Sequence, residues 1–165
     1  MGTLKLSDWI AGFCQLHERA KAGGLAPAEK TQYLSARDEL AGALVTAQRL
    51  TLKDGETPRQ AMRVARAMPV EMELAKGWVS ALTQDVSVGG LSALVSASPP
   101  VGSRLQFRLK IGRGEEPLSG ALRVVSVIEQ KGAARLCASF EQLTPNHRER
   151  LEFMLFDNVV AHFKR

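Results

Sequence analysis

No run of about 18 apolar side chains occurs anywhere in the 165 residues, so no segment reads as a membrane-spanning helix. Cysteine is nearly missing as well. Cys14 and Cys137 sit in unlike segments among apolar neighbours, which reads as two buried thiols in a reducing cytoplasm and not as a disulfide. Histidine is scarce: His17, His147 and His162 have no serine, cysteine or second carboxylate at a spacing that suggests a triad or a metal site. They read as satisfied or solvent-facing side chains, and the chain reads as a non-enzyme with no cofactor. Aromatic residues make up only 5% of the chain, too few for the stacking ladder of a single-stranded nucleic-acid binder. The opening Met-Gly-Thr-Leu-Lys-Leu-Ser-Asp has no small-residue cleavage site, and Asp8 and Glu18 interrupt any apolar region, so no secretory signal is expected.

What is present divides unevenly. Residues 1–56 carry seven Lys/Arg and seven Asp/Glu, while residues 57–165 carry fifteen against ten, so the net charge of +5 belongs to the second part. A modest basic excess suits a small anionic ligand better than a long nucleic-acid track. A chain of this length supports one sound core, or one domain with an extension. The expected division is a helical hairpin with its linker over 1–56 and a β domain over 57–165.

The period of the apolar residues changes at that boundary. Residues 5–22 predict an amphipathic helix, with Trp9, Phe13 and Leu16 on one face, Ser7 or Asp8 as its cap, and Gly23-Gly24 at its end. Pro27 and Glu29 open a second helix over 27–50, whose apolar side comprises Leu34, Ala41, Leu44, Val45 and Gln48. Two helices of this size bury little alone, so their faces need the β domain, a second copy or a partner protein. Asp54-Gly55 marks the linker.

Beyond Arg63 the period becomes two. Val70, Met72 and Leu74 alternate with Glu71 and Glu73; strands follow over 78–86, 91–96, 105–109, 118–129 and 133–142, the last two as a hairpin around Gln130-Lys131-Gly132. Six short strands with polar turns predict an antiparallel β-barrel. A final helix opens at Thr144-Pro145, and its stripe of Leu151, Met154, Leu155 and Val159, broadened by Phe153, Phe156 and Phe163, is expected to plug one barrel end.

Two short pieces stand out against this frame. Arg59-Gln-Ala-Met-Arg63 precedes the first strand, and about twenty residues later Asp85-Val-Ser87-Val-Gly-Gly90 separates two strands. Taken singly, the first reads as a solvated basic linker and the second as an ordinary turn whose Asp and Ser bond their own backbone. Together, R-x-x-x-R followed by D-x-S-x-x-G resembles the PilZ domain family, small β-barrels that bind the second messenger cyclic di-GMP. The resemblance covers roughly residues 57–160 and leaves the N-terminal hairpin unaccounted for.

The resemblance implies a six-stranded antiparallel barrel with a C-terminal helix; preceded by the α-helical hairpin read from periodicity, this makes the expected fold mainly β with helices. It implies that Arg59 and Arg63 grip the guanines and phosphates of cyclic di-GMP, while Asp85, Ser87 and Gly90 form a floor that reads a guanine edge. The chemistry is suitable. An arginine fork meets the O6/N7 pair of guanine or a phosphate bidentately. A carboxylate accepts from the guanine N1–H and N2–H₂ donors that arginine cannot satisfy. Gly89 and Gly90 offer positive φ and close approach of a base to the backbone. Two departures are visible. Pro58 stands where many members carry a further arginine, a position that influences whether one ligand or a stacked pair is held. Cys137-Ala-Ser-Phe140 replaces a frequent Gly-x-x-Phe. Arg66 reads as an exposed strand-edge side chain.

The expected function is that of a bacterial, cytoplasmic cyclic di-GMP receptor. Binding would order residues 59–66 and reposition the helical hairpin, which would signal to a protein partner or a second copy. Two other classes compete: a barrel serving only as a protein-docking module, and a nucleic-acid binder using Arg104, Arg108 and Lys110. The intact motifs speak against the first and the shortage of aromatics against the second.

Overall fold

The computed structural model describes residues 5–50, 61–112 and 114–165. Helices α1 (Leu6–Lys21) and α2 (Pro27–Leu50) are followed by strands β1 (Val64–Ala65), β2 (Pro69–Leu74), β3 (Gly77–Val86), β4 (Gly90–Val95), β5 (Arg104–Leu109), β6 (Leu118–Gln130) and β7 (Ala133–Glu141). Helix α3 (Pro145–Phe163) completes the chain. It divides into two compact units, Met1–Met62 with Phe156–Arg165, and Arg63–Leu155. The C-terminal ten residues, expected with the barrel, thus cluster with the hairpin. No helix among the described residues is long and apolar enough to cross a membrane.

The second unit is the expected closed six-stranded antiparallel barrel. Around it the order is β3-β2-β5-β6-β7-β4, closed by the pairing of β4 with β3. The two-residue β1 is not a seventh stave: it pairs with Asp85 and Val86 at the end of β3, on the edge that β2 occupies farther along. Alternation fixes which face is inside. In β5 Leu105, Phe107 and Leu109 are buried while Arg104, Gln106 and Arg108 face solvent, so the period of two sends one set inward and the other outward. Met72, Leu118, Leu122 and Leu136 fill the interior with no measurable exposure. From α3 this unit takes the first turns, in which Leu151 and Leu155 are buried and Arg150 donates to the Glu116 carbonyl at 2.5 Å.

Between β1 and β2 the ladder breaks, and one side chain bridges the gap. The buried Thr83 hydroxyl accepts from Met68 N–H at 2.9 Å and donates to the Arg66 carbonyl at 2.6 Å. Two backbone groups that would otherwise be orphaned are thereby paired. This stitch fixes the path by which the chain enters the barrel just after Arg63.

In the hairpin unit, α1 ends as the glycine pair predicts. Gly23 adopts φ 76°, with Gly23 N–H donating to Ala20 O and Gly24 N–H to Arg19 O, the double bond of a Schellman stop. The start differs from expectation. Lys5 occupies the N-cap with no side-chain hydrogen bond, so neither Ser7 nor Asp8 caps the helix; both already lie inside it. The seam of α2 is also shifted, to Tyr33, Arg37 and Leu40, while Leu34, Ala41, Leu44, Val45 and Gln48 are only half-buried. Polar chemistry hid this seam. Tyr33 stacks on Phe13, and the Arg37 guanidinium lies over the Tyr33 and Phe156 rings at 5.7 and 5.4 Å, so a flat cation behaves as a core side chain.

His17 joins the three helices. It is fully buried, with Nδ1 2.7 Å from the Tyr33 hydroxyl and Nε2 3.1 Å from Asp157 Oδ1. A carboxylate only accepts, so Nε2 carries the proton. Lys21 adds a second donor to Asp157 at 3.1 Å.

Candidate functional site

The site follows from how β3 ends. A register shift between Thr83 and Asp85 interrupts the β3–β4 ladder, and such an irregularity re-aims the side chains beyond it. Asp85 pairs with Ala65 on one side and Ser92 on the other, in a partly covered position. Its Oδ2 lies 3.4 Å from Arg135 Nη2 and 3.9 Å from Arg63 Nη1. The carboxylate is therefore held between two guanidinium groups and is not spent on its own backbone, as an ordinary turn aspartate would be.

Ser87 behaves as a turn residue. Its N–H donates to the Gly90 carbonyl at 2.9 Å, its hydroxyl accepts from Gly89 N–H at 3.2 Å, and the same hydroxyl reaches Gly90 O at 3.4 Å. The side chain thus locks a tight connection from β3 to β4. Neither Gly89 nor Gly90 takes a positive φ, contrary to the conformational role expected for them. A Cβ on Gly90 would stand 2.1 Å from the Ala138 carbonyl oxygen. Gly90 is therefore required by the approach of β7, where it pairs with Ser139.

These pieces surround one cavity of about 180 Å³ on the outer face of the barrel, lined by Arg63, Asp85, Ser87, Gly90, Ser92 and Cys137 among others. Four of the five residues singled out from the sequence, Arg63, Asp85, Ser87 and Gly90, meet there. The fifth, Arg59, lies outside the described residues, as do Thr57 and Pro58. Cys137 and Cys14 are free and half-buried, less enclosed than expected. Sequence reasoning missed the contribution of β7. Arg135, Cys137 and Ser139 alternate with the inward Leu136 and Ala138, a visible pattern. What the pattern does not disclose is that β4 lies between β7 and β3, which brings Arg135 within reach of Asp85.

The fold is thus a closed six-stranded barrel with a mixed arginine and carboxylate pocket on its outer wall. The PilZ domain model matches residues 57–157, and this chain belongs to the PilZ domain family. No curated protein sequence matches it. Among solved structures the chain is similar to YcgR from Escherichia coli in complex with c-di-GMP, at 21% identity and a TM-score of 0.56, over 64% of this chain and 48% of that one. It is similar to the separate PilZ domain of Escherichia coli YcgR with c-di-GMP, at 19% identity and a TM-score of 0.54, over 66% and 96%. It is also similar to the Bacillus subtilis inhibitor of motility MotI/DgrA, at 12% identity and a TM-score of 0.56, over 64% and 53%. The chain thus spans about half the length of MotI/DgrA and of the longer YcgR structure. At these identities the likeness is one of fold.

Proposed function

We propose that this chain is a receptor for cyclic di-GMP that senses the messenger without degrading it and acts in the cytoplasm. The observation that carries the reading is the meeting of Arg63, Asp85, Ser87 and Gly90 around one outer-face pocket in a chain of the PilZ family. Asp85 accepts from the N1–H and N2–H₂ edge of a guanine, which Ser87 and the turn it braces hold in register. Arg63, with Arg59, supplies forks for the phosphates and the guanine O6/N7 edge. A polyanion track along β5 has less support. Arg104 is paired with Glu141 at 3.1 Å, and Arg108 faces Glu71 at 3.8 Å and lies over the Trp78 ring at 4.2 Å.

The boundary between the two compact units falls between Met62 and Arg63, inside the R-x-x-x-R motif. On this reading ligand capture orders residues 59–66 and repositions the hairpin, which a protein partner or a second copy then reads. Isothermal titration of cyclic di-GMP into the full chain is expected to give one saturable event, abolished in the Arg59→Ala, Arg63→Ala double variant. No heat and no competition for a labelled ligand would refute the receptor reading. Protease cleavage between residues 53 and 66 should slow when ligand is added; cleavage indifferent to ligand would refute the ordering step.

A further inference from the structure

We infer that Arg135, which lies in neither motif, is a third ligand-binding arginine, released from Asp85 to take a phosphate when the messenger binds. The inference rests on the receptor reading above and deepens it. Arg135 sits on β7 opposite Leu94 of β4 and Ile128 of β6, and Asp85 sits on β3, beyond β4. A guanidinium that reaches Asp85 at 3.4 Å must cross β4 at the level of Ser92 and Leu94. Ser92 is only 1% exposed, although Leu91 and Ala93 on either side of it are the residues that fill the core. In this state the Arg135 guanidinium occupies the Asp85 carboxylate that faces the pocket.

The arrangement is incompletely satisfied. Arg135 Nε and Ser92 Oγ are both buried and make no hydrogen bond among the described residues. A buried donor without an acceptor is costly, and two of them beside one pocket mark a surface that a ligand can complete. Charge points the same way. Cyclic di-GMP carries two negative phosphates and two neutral guanines. Among the described residues, Arg63 and Asp85 cancel, and Arg135 supplies the net positive charge that a phosphate needs. When a guanine N1–H edge takes over Asp85, the carboxylate no longer needs Arg135, and the freed fork turns to the phosphate.

The test compares the full-length wild type with Arg135→Ala and Arg135→Lys by isothermal titration of cyclic di-GMP, and repeats Arg135→Ala in an Asp85→Ala background. Arg135→Ala is expected to weaken binding about 10- to 100-fold, with Arg135→Lys in between because it keeps the charge and loses the fork. The loss should persist in the Asp85→Ala background, since Arg135 acts on the ligand and not through Asp85. Should binding there be too weak to titrate, the ³¹P shift of bound ligand must still differ between wild type and Arg135→Ala. A wild type that binds while Arg135→Ala binds equally well would overturn this assignment alone. So would a loss that vanishes without Asp85, or an unchanged ³¹P shift, since Arg135 would then only position Asp85. A wild type that does not bind would overturn the receptor reading and this assignment with it.

Discussion

Asp85, Ser87 and Gly90 belong to one motif but do different physical work. Gly90 serves the barrel: a methyl group there would collide with the Ala138 carbonyl at 2.1 Å, and a backbone oxygen cannot swing aside as a side chain can. Gly90→Ala is expected to destabilise the fold by about 2–3 kcal/mol, read as a lower denaturation midpoint, so lost binding in that variant would not identify Gly90 as a ligand contact. Ser87→Ala removes the hydroxyl bridging Gly89 N–H and Gly90 O and should cost about 1 kcal/mol, with weaker binding as the turn loosens. Asp85→Asn keeps the shape and drops the charge that holds Arg63 and Arg135. It should leave the melting temperature nearly unchanged while sharply lowering affinity for cyclic di-GMP. The motif residues were legible in the sequence because their spacing is local. Arg135 was not, because its place beside Asp85 depends on which distant strand closes against β4.

At the scale of elements, the strands and their inner faces could be read from alternation alone, as β5 shows. The α2 seam could not, because it runs through Tyr33 and Arg37, polar residues made apolar in effect by Phe13 and Phe156. Nor could the break between β1 and β2, where Thr83 stands in for a missing ladder. Thr83→Val preserves volume but leaves Met68 N–H and Arg66 O without that partner. We expect a loss of about 1–3 kcal/mol by chemical denaturation, together with weaker ligand binding because the chain leaves Arg63 along a less defined path.

For the whole molecule, the barrel unit carries the pocket, and the hairpin with the end of α3 is organised around buried His17. Burial raises the Asp157 pKa, but hydrogen bonds from His17 and Lys21 outweigh it and hold the group below its ordinary value of 3.8. A carboxylate with a depressed folded pKa contributes stability that is complete above the unfolded value and is lost as pH falls through the folded one. The Asp157 contribution should therefore be intact at pH 6 and disappear below about pH 4. Asp157→Asn should lower stability at pH 6 and show a flatter acid limb, measured by denaturant melts across that range.

If this chain is a receptor, cyclic di-GMP binds the outer wall of the barrel at the end of β3. An amide ¹H–¹⁵N titration of the full chain with cyclic di-GMP tests both binding and place. Saturable shifts are expected, concentrated at Arg63, at residues 85–92 and at Arg135, Cys137 and Ser139. Shifts confined to the opposite basic face around Arg104 and Arg108, or no shifts at all, would contradict it.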